Sequence, residues 1–324
     1  MLRLARGAVI RAGDPAAAEQ ELTVALRDGP HPAIADTALV GPAAQGDEVL
    51  VNVAARELGL GSGGFDIVHA NLTRGLDAPG EPGDHVLKLN YTSLQHAVQP
   101  LDPPELPDLP HRPVAIVALH SQLAPVAWAF AQQAPTLRLG YIQTPGGALP
   151  ASHSRTVREL RTRNLLAAHV TAGQAFGGPD GDAITTLGAL AHAFTLGGWH
   201  AAIAGPGPGI QGSATALGHG GLVALDSAHA ALSLGLEAIL VPRRSDVDPR
   251  PRHRGLSHHT ATVLRLLLAP VTLPPQDGQA DLDGYSRSGL PTELMGADLR
   301  QETSFFTAAL LSGGLLAQRA AALA

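Results

Sequence analysis

Val114-Ala115-Ile116-Val117-Ala118-Leu119-His120 is the stretch on which the fold turns. It is a short apolar strand that ends abruptly in the polar His120-Ser121-Gln122. The helix-prone Leu123–Gln133 follows, and Leu137–Gln143 reads as a second strand. Strands alternating with helical segments are the mark of a parallel sheet covered by helices.

The alternation continues outward from there. Ser154–Arg163 reads as a polar helix and Leu165–Val170 as a strand. Asp182 is placed to cap an apolar helix through Leu196. Trp199–Ala204 is the next strand, Ser213–Leu234 a helix and Leu236–Val241 a strand. Ser257–Leu268 is a further helix with Ser257 as its N-cap, Pro270–Pro291 is irregular, and Ala297–Ala322 is mostly helical. From Ala183 to Leu225 there is no Asp, Glu, Lys or Arg. A membrane span needs about 20 mostly apolar residues in a row. This run is broken by His192, His200, His219, Pro206, Pro208 and many glycines, so it reads as a buried strand between two helices.

Upstream the pattern changes. Pro100–Pro113 holds six prolines and three acidic residues without periodicity, and reads as an extended linker. Before it, Leu2–Ile10, Glu21–Leu26, Glu48–Val53, Phe65–Ala70 and His85–Leu89 read as short strands separated by turn residues. Gly-rich Leu58–Gly64 is a turn that calls for positive φ. The expected fold class is therefore α/β: a small β-rich barrel or sandwich over residues 1–99, the linker 100–113, and a parallel-sheet α/β domain with a C-terminal helical segment over 114–324.

Composition narrows the function classes. Of 324 residues 45% are apolar and 15% charged, as in a globular protein, and with 3% aromatics the core is built from Ala, Leu, Val and Ile. A net charge of −6 argues against a nucleic-acid partner, which would be met by a basic field. Lys88 is the one lysine among 22 basic residues, a bias in favour of arginine that a GC-rich genome explains. Without cysteine there is no disulfide framework, thiolate nucleophile or Cys-ligated metal, so a metal would rest on His, Asp or Glu. Met1–Gly13 lacks the apolar stretch of a signal peptide, and the expected location is the cytoplasm.

Ligands of open parallel sheets bind beyond the carboxyl ends of the strands. Those ends are His120-Ser121-Gln122, Gln143–Gly147, Thr171–Gln174, Gly205–Gly212 and Arg243–Asp248. Gly207-Pro208-Gly209-Ile210-Gln211-Gly212 fits G-x-G-x-x-G between an expected strand and an expected helix. Gly205, Gly207, Gly209 and Gly212 would let a phosphate approach the backbone, with Ser213 and Thr215 as added donors. Arg243-Arg244 ends the next strand, where a nicotinamide enzyme reads its ribose and arginine favours a 2′-phosphate. Pro206 and Pro208 count against a phosphate cradle, and a tight turn needing glycine for packing is the competing reading.

Arg243 to His259 packs five arginines, Asp246, Asp248 and three histidines between a strand and a helix. Arg244, Arg250 and Arg252 suit bidentate contacts to phosphate or carboxylate. His120, Asp246, Asp248, His253, His258 and His259 are candidate metal ligands. A structural ion-pair network is the third reading of this stretch. Adjacent His258 and His259 are not expected to face one point on a helix, so at most one should ligate or catalyse. His120 ends the first α/β strand, where a catalytic group is expected, although a structural histidine would fit as well. His192, His200, His219 and His229 lie along apolar segments and read as core or helix-face residues. The G-x-S-x-G elbow, H-E-x-x-H and a Walker lysine are absent from the sequence.

These residues resemble a bacterial family, domain of unknown function 3866. The resemblance rests on Gly46–Val49, Glu57–Gly64, Lys88–Thr92, His120-Ser121, Gly205–Gly212, Arg243–His259, Leu294-Met295-Gly296 and Phe305-Phe306. It implies no activity, cofactor or catalytic residue. The residues themselves point to a small anionic ligand, a phosphorylated metabolite or nucleotide, processed by hydrolysis or group transfer. In that reading His120, His253 or His258 is the general base and Asp246 or Asp248 orients it. A His/Asp metal hydrolase and a non-catalytic sensor or assembly protein are the alternatives. The cofactor is left unknown, and long apolar helices permit a homodimer without requiring one.

Overall fold

The computed structural model describes residues 2–59, 64–76, 86–92, 94–109, 111–275 and 277–324. The chain divides into two compact units that meet at Gln99/Pro100.

In the first unit five strands close into a barrel: β1 (Leu4–Ala12), β2 (Glu19–Leu26), β3 (Gly29–Asp36), β4 (Glu48–Asn52) and β5 (Asp66–Asn71). The order around it is β1-β2-β3-β5-β4, with β4 returning to β1 and with β3 and β5 parallel. Alternating residues such as Leu22 and Val24, Ala33 and Ala35, and Val49 and Val51 point inward and form its core with Val9 and Val68. The sequence did not mark β3, because Pro30 and Pro32 break the strand signal. Both prolines lie where β3 pairs with β2 alone, whereas β5 joins only at Ala33 and Ile34. Their missing N–H groups therefore leave no ladder incomplete. Helices α1 (Thr37–Val40) and α2 (Ala54–Glu57) and a hairpin of β6 (Val86–Lys88) and β7 (His96–Val98) complete this unit. Gly59 and Gly64 adopt the positive φ expected of the Gly-rich turn. Residues 60–63 between them, and His85 of the last expected strand, lie outside the described residues.

The second unit is a six-stranded, wholly parallel sheet with helices on both faces. Its strands are β8 (Pro113–Ile116), β9 (Leu139–Thr144), β10 (Ala168–Ala172), β11 (Asp182–Ala183), β12 (Ala201–Pro206) and β13 (Glu237–Leu240). They stand in the order β11-β10-β9-β12-β8-β13. Successive residues serve opposite faces. Ala115, Val117, Ile203 and Ile239 pack with α3 (Leu123–Gln133), α4 (Arg155–Thr162), α8 (Leu282–Arg287) and α9 (Thr303–Ala321). Val114, Ile116, Ala202 and Leu240 pack with α5 (Thr186–Thr195), α6 (Val223–Ser233) and α7 (His258–Leu266). Burial on both faces is why these strands read as unbroken apolar runs.

Several expected elements move. The proline-rich segment is part of this unit: Leu101 N–H donates to the Asp182 carbonyl, and the Asp102 carboxylate accepts from Ile184 and Thr185. Asp182 sits in a strand, and Thr185 is the residue whose side chain caps α5. Helix α6 begins only at Val223, not at Ser213, because residues 207–222 form an excursion that ends in a 3-10 turn, Gly220–Leu222. Ser154 and Ser257 cap α4 and α7, the latter as expected. Among the described residues no helix is long and apolar enough to cross a membrane.

Strands β9 and β8 lead into helices of one face, and their neighbours β12 and β13 into helices of the other. Adjacent chains that part in opposite directions open a crevice at the carboxyl end of the sheet. The excursion after β12 and the arginine-rich segment after β13 emerge there.

Candidate functional site

Beyond β13 the chain folds back on itself. Arg244–Ser245 and Gly255–Leu256 pair as β14 and β15, enclosing a 3-10 turn at Pro251–His253. Ser257 N–H donates to the Arg243 carbonyl at 2.9 Å, and Arg243 N–H to Thr260 Oγ1 at 2.8 Å. These bonds fix the start of α7 beside the end of β13. From the other side, Gly212 pairs with His219, so the excursion after β12 returns His219 to the head of the 3-10 turn.

Four imidazoles meet where these segments converge. The rings of His219 and His259 stack at 3.8 Å between centroids with 9° between planes. His258 lies 5.1 Å from His219 and 4.5 Å from His259, and His253 lies 4.7 Å from His258 and 4.9 Å from His259. His219, His253 and His259 are buried and His258 is half-buried. Burial, the largest influence on each, holds all four below the ordinary histidine pKa, and neighbouring cations push the same way. His253 is brought to about 4. At neutral pH the cluster is therefore uncharged and rich in lone pairs.

Arg243 lies against it, 3% exposed. Its Nη1 donates to His259 Nδ1 at 3.1 Å, and its Nη2 lies 3.4 Å from Asp248 Oδ2. Its Nε is buried without a hydrogen-bond partner. Burial lowers its pKa to about 10, still protonated at neutrality. Asp248 is shared with Arg250, which holds both carboxylate oxygens at 2.8 and 2.9 Å. That pairing keeps Asp248 far below the usual carboxylate range. Glu302 accepts from Ser245 Oγ and Asp246 N–H.

The sequence-derived residues are only partly brought together. His253, His258 and His259 share the cluster, and the expectation that His258 and His259 diverge is corrected. They occupy the first two positions of α7, next to its cap, where both rings reach the same neighbours. Asp248 and Arg250 pair with each other. Asp246 accepts from Ser304 N–H at 2.7 Å at the start of α9, which makes it a cap for that helix. Arg252 is exposed and Arg244 half-buried.

The glycine motif parts company with its expected setting, since no helix starts behind it. A Cβ on Gly205 would lie 2.6 Å from the Val117 carbonyl oxygen, and one on Gly207 2.6 Å from Gln143 Cδ. Gly205 needs glycine because it meets backbone, whereas Gly207 meets only the end of the Gln143 side chain. Gly209 has φ +83°, and Gly212 and Ser213 are exposed on the excursion, where Ser213 Oγ bonds Thr215 Oγ1.

His120 belongs to a second group of polar residues. Its Nε2 is 2.8 Å from Ser154 Oγ, which also accepts from Val157 N–H as the cap of α4. Tyr141 stands between His120 and His169, stacked on the latter at 5.0 Å, and donates to the carbonyls of Gly205 and Pro206. Burial brings His120 to about 4 and His169 to about 3.

Two residues of the cluster are not singled out by the sequence. Arg243 reads as the strand end and one of five arginines, without a role of its own beside Arg244, Arg250 and Arg252. His219 reads as part of a helix. The available signal for His219 was its setting, Gly218-His219-Gly220-Gly221. A Cβ on Gly221 would lie 3.1 Å from His259 Nδ1 and 3.2 Å from His219 Nδ1, so glycine there lets both rings approach.

A family described as "Protein of unknown function (DUF3866)" matches residues 32–280, a span that contains the whole histidine–arginine cluster. No curated protein and no solved structure matches the chain.

Proposed function

The chain belongs to the family of proteins of unknown function DUF3866, and we propose that it binds a small anionic ligand, a phosphorylated metabolite or nucleotide, at the histidine–arginine cluster. Hydrolysis or group transfer is the chemistry such a site suits. Arg243 carries this reading: a buried guanidinium with an unpartnered Nε shares its nearest carboxylate with a second guanidinium. A buried cation whose charge and donors are incompletely matched is stabilised by an anion that supplies both. Arg252 and Arg244 add positive charge at the rim, and four neutral imidazoles offer a base of suitable type.

The arginines, more than the glycine loop, hold the anion in this reading. Gly205 is committed to packing, and Gly212 has no helix behind it to supply free N–H groups.

The test is calorimetric titration of the protein with inorganic phosphate, sugar phosphates and nucleotides. Saturable binding is expected, weakened at least tenfold by Arg252→Ser and abolished by Arg243→Gln. Silence across the panel, with the protein folded, would overturn the proposal and favour a sensor or assembly role.

A further inference from the structure

We propose that His219, His258 and His259 form a binding site for one divalent transition-metal cation, zinc or a first-row neighbour. Among the described residues these are the group of three whose candidate ligand atoms all lie within 4.8 Å of one another. Two nitrogens about 2.1 Å from a tetrahedral zinc ion stand about 3.4 Å apart, so the rings must close in by about 1 Å, and the stacked rings of His219 and His259 must rotate apart to point at one ion.

Three observations support the assignment. His219 is 6% exposed, yet neither ring nitrogen has an aligned hydrogen-bond partner, although the Ala216 carbonyl lies near enough to favour its protonated form. His258 Nε2 is likewise buried without a partner. Buried polar atoms left unsatisfied are rare and call for a missing partner. Finally, imidazole ligands without thiolates suit zinc, copper, nickel or iron more than calcium or magnesium. Three protein ligands leave a position open, as in catalytic sites.

Arg243 takes part. Its Nη1 donates to His259 Nδ1, so a cation using that lone pair displaces the guanidinium. Loading the site would thus free Arg243 for an anion. The cation site deepens the anion reading, resting on it only for what would fill the open position.

The experiment uses tag-free, chelator-treated protein titrated with Co(II), followed by its visible absorption, and with Zn(II), followed by calorimetry. One equivalent per chain is expected. His219→Asn and His258→Asn should each weaken binding on the order of 100-fold, with far-ultraviolet circular dichroism unchanged, while the exposed His111→Asn leaves it intact. His258 is half-buried, so its variant remains informative if His219→Asn fails to fold. Arg243→Met should tighten cation binding about tenfold. Folded wild-type protein that retains no cation, or undiminished binding in both histidine variants, overturns the site. Phosphate titrated in the presence of chelator separates the two proposals: binding there keeps the anion site alone, and cation binding without phosphate affinity keeps the metal site alone.

Discussion

His259 Nδ1 accepts a hydrogen bond from Arg243 Nη1 at 3.1 Å, inside a cluster where both residues are buried. Arginine can only donate, so the imidazole is neutral and carries its proton on Nε2. A cation beside four lone-pair donors is stable only while those rings stay unprotonated. The charge state of the cluster and the position of Arg243 are therefore one variable.

Removing the guanidinium tests this directly. Arg243→Ala leaves His259 Nδ1 without its donor and Asp248 with Arg250 alone. We expect a loss of about 1–3 kcal/mol in urea unfolding, the range for orphaning a buried polar group. Stability equal to wild type would mean that Arg243 is not held as described.

Acid should destabilise the protein through its desolvated histidines. His120 and His253 have folded values of about 4 against an ordinary 6.5. Between those values the unfolded chain binds more protons than the folded one, so stability is complete above about pH 6.5 and falls as pH drops towards 4. For His120 the limit is about 3 kcal/mol at about 1.4 kcal/mol per unit. Melting temperatures from pH 7.5 to 4.5 should decline, with a shallower slope in His120→Gln.

Alanine at the glycines should separate packing from ligand contact. Gly205→Ala meets backbone at 2.6 Å and should cost about 1–3 kcal/mol. Gly212→Ala finds its nearest neighbour at 3.6 Å, in ordinary contact, and should leave the thermal melt within error. Phosphate affinity that drops in the folded Gly212→Ala protein would return the anion to the glycine loop.

Asp246 offers the contrast between cap and site. Asp246→Ala removes the acceptor of Ser304 N–H at the head of the long helix α9. A cost of about 1 kcal/mol is expected, with cation and phosphate titrations unchanged. Loss of either binding in a folded variant would restore Asp246 to the site.

Much of the architecture was legible from residue order. Val114–His120, Trp199–Ala204 and Leu236–Val241 announce buried parallel strands because burial on both faces selects continuous apolar residues. The family match over residues 32–280 takes in the motifs from Gly46 to His259, while Leu294–Gly296 and Phe305-Phe306 lie beyond it. Ser257 as a cap was readable because capping is a local interaction. Local rules failed at β3, where prolines are tolerated only because of what the strand lacks as a neighbour, and at Ser213, where no local residue announces that the helix waits until Val223.

The sequence alone determined the fold class and the crevice end of the sheet, since both follow from periodicity and from the rule for parallel strands. Only the tertiary structure decided which polar residues meet. It joined His219 to His258 and His259 across about forty residues of chain, set His120 apart with Ser154 and Tyr141, and turned Asp246 into a helix cap. The physical reason is that a side chain's partners depend on strand order. Strand β12 lies next to β8, which alone separates it from β13, an arrangement no local pattern encodes.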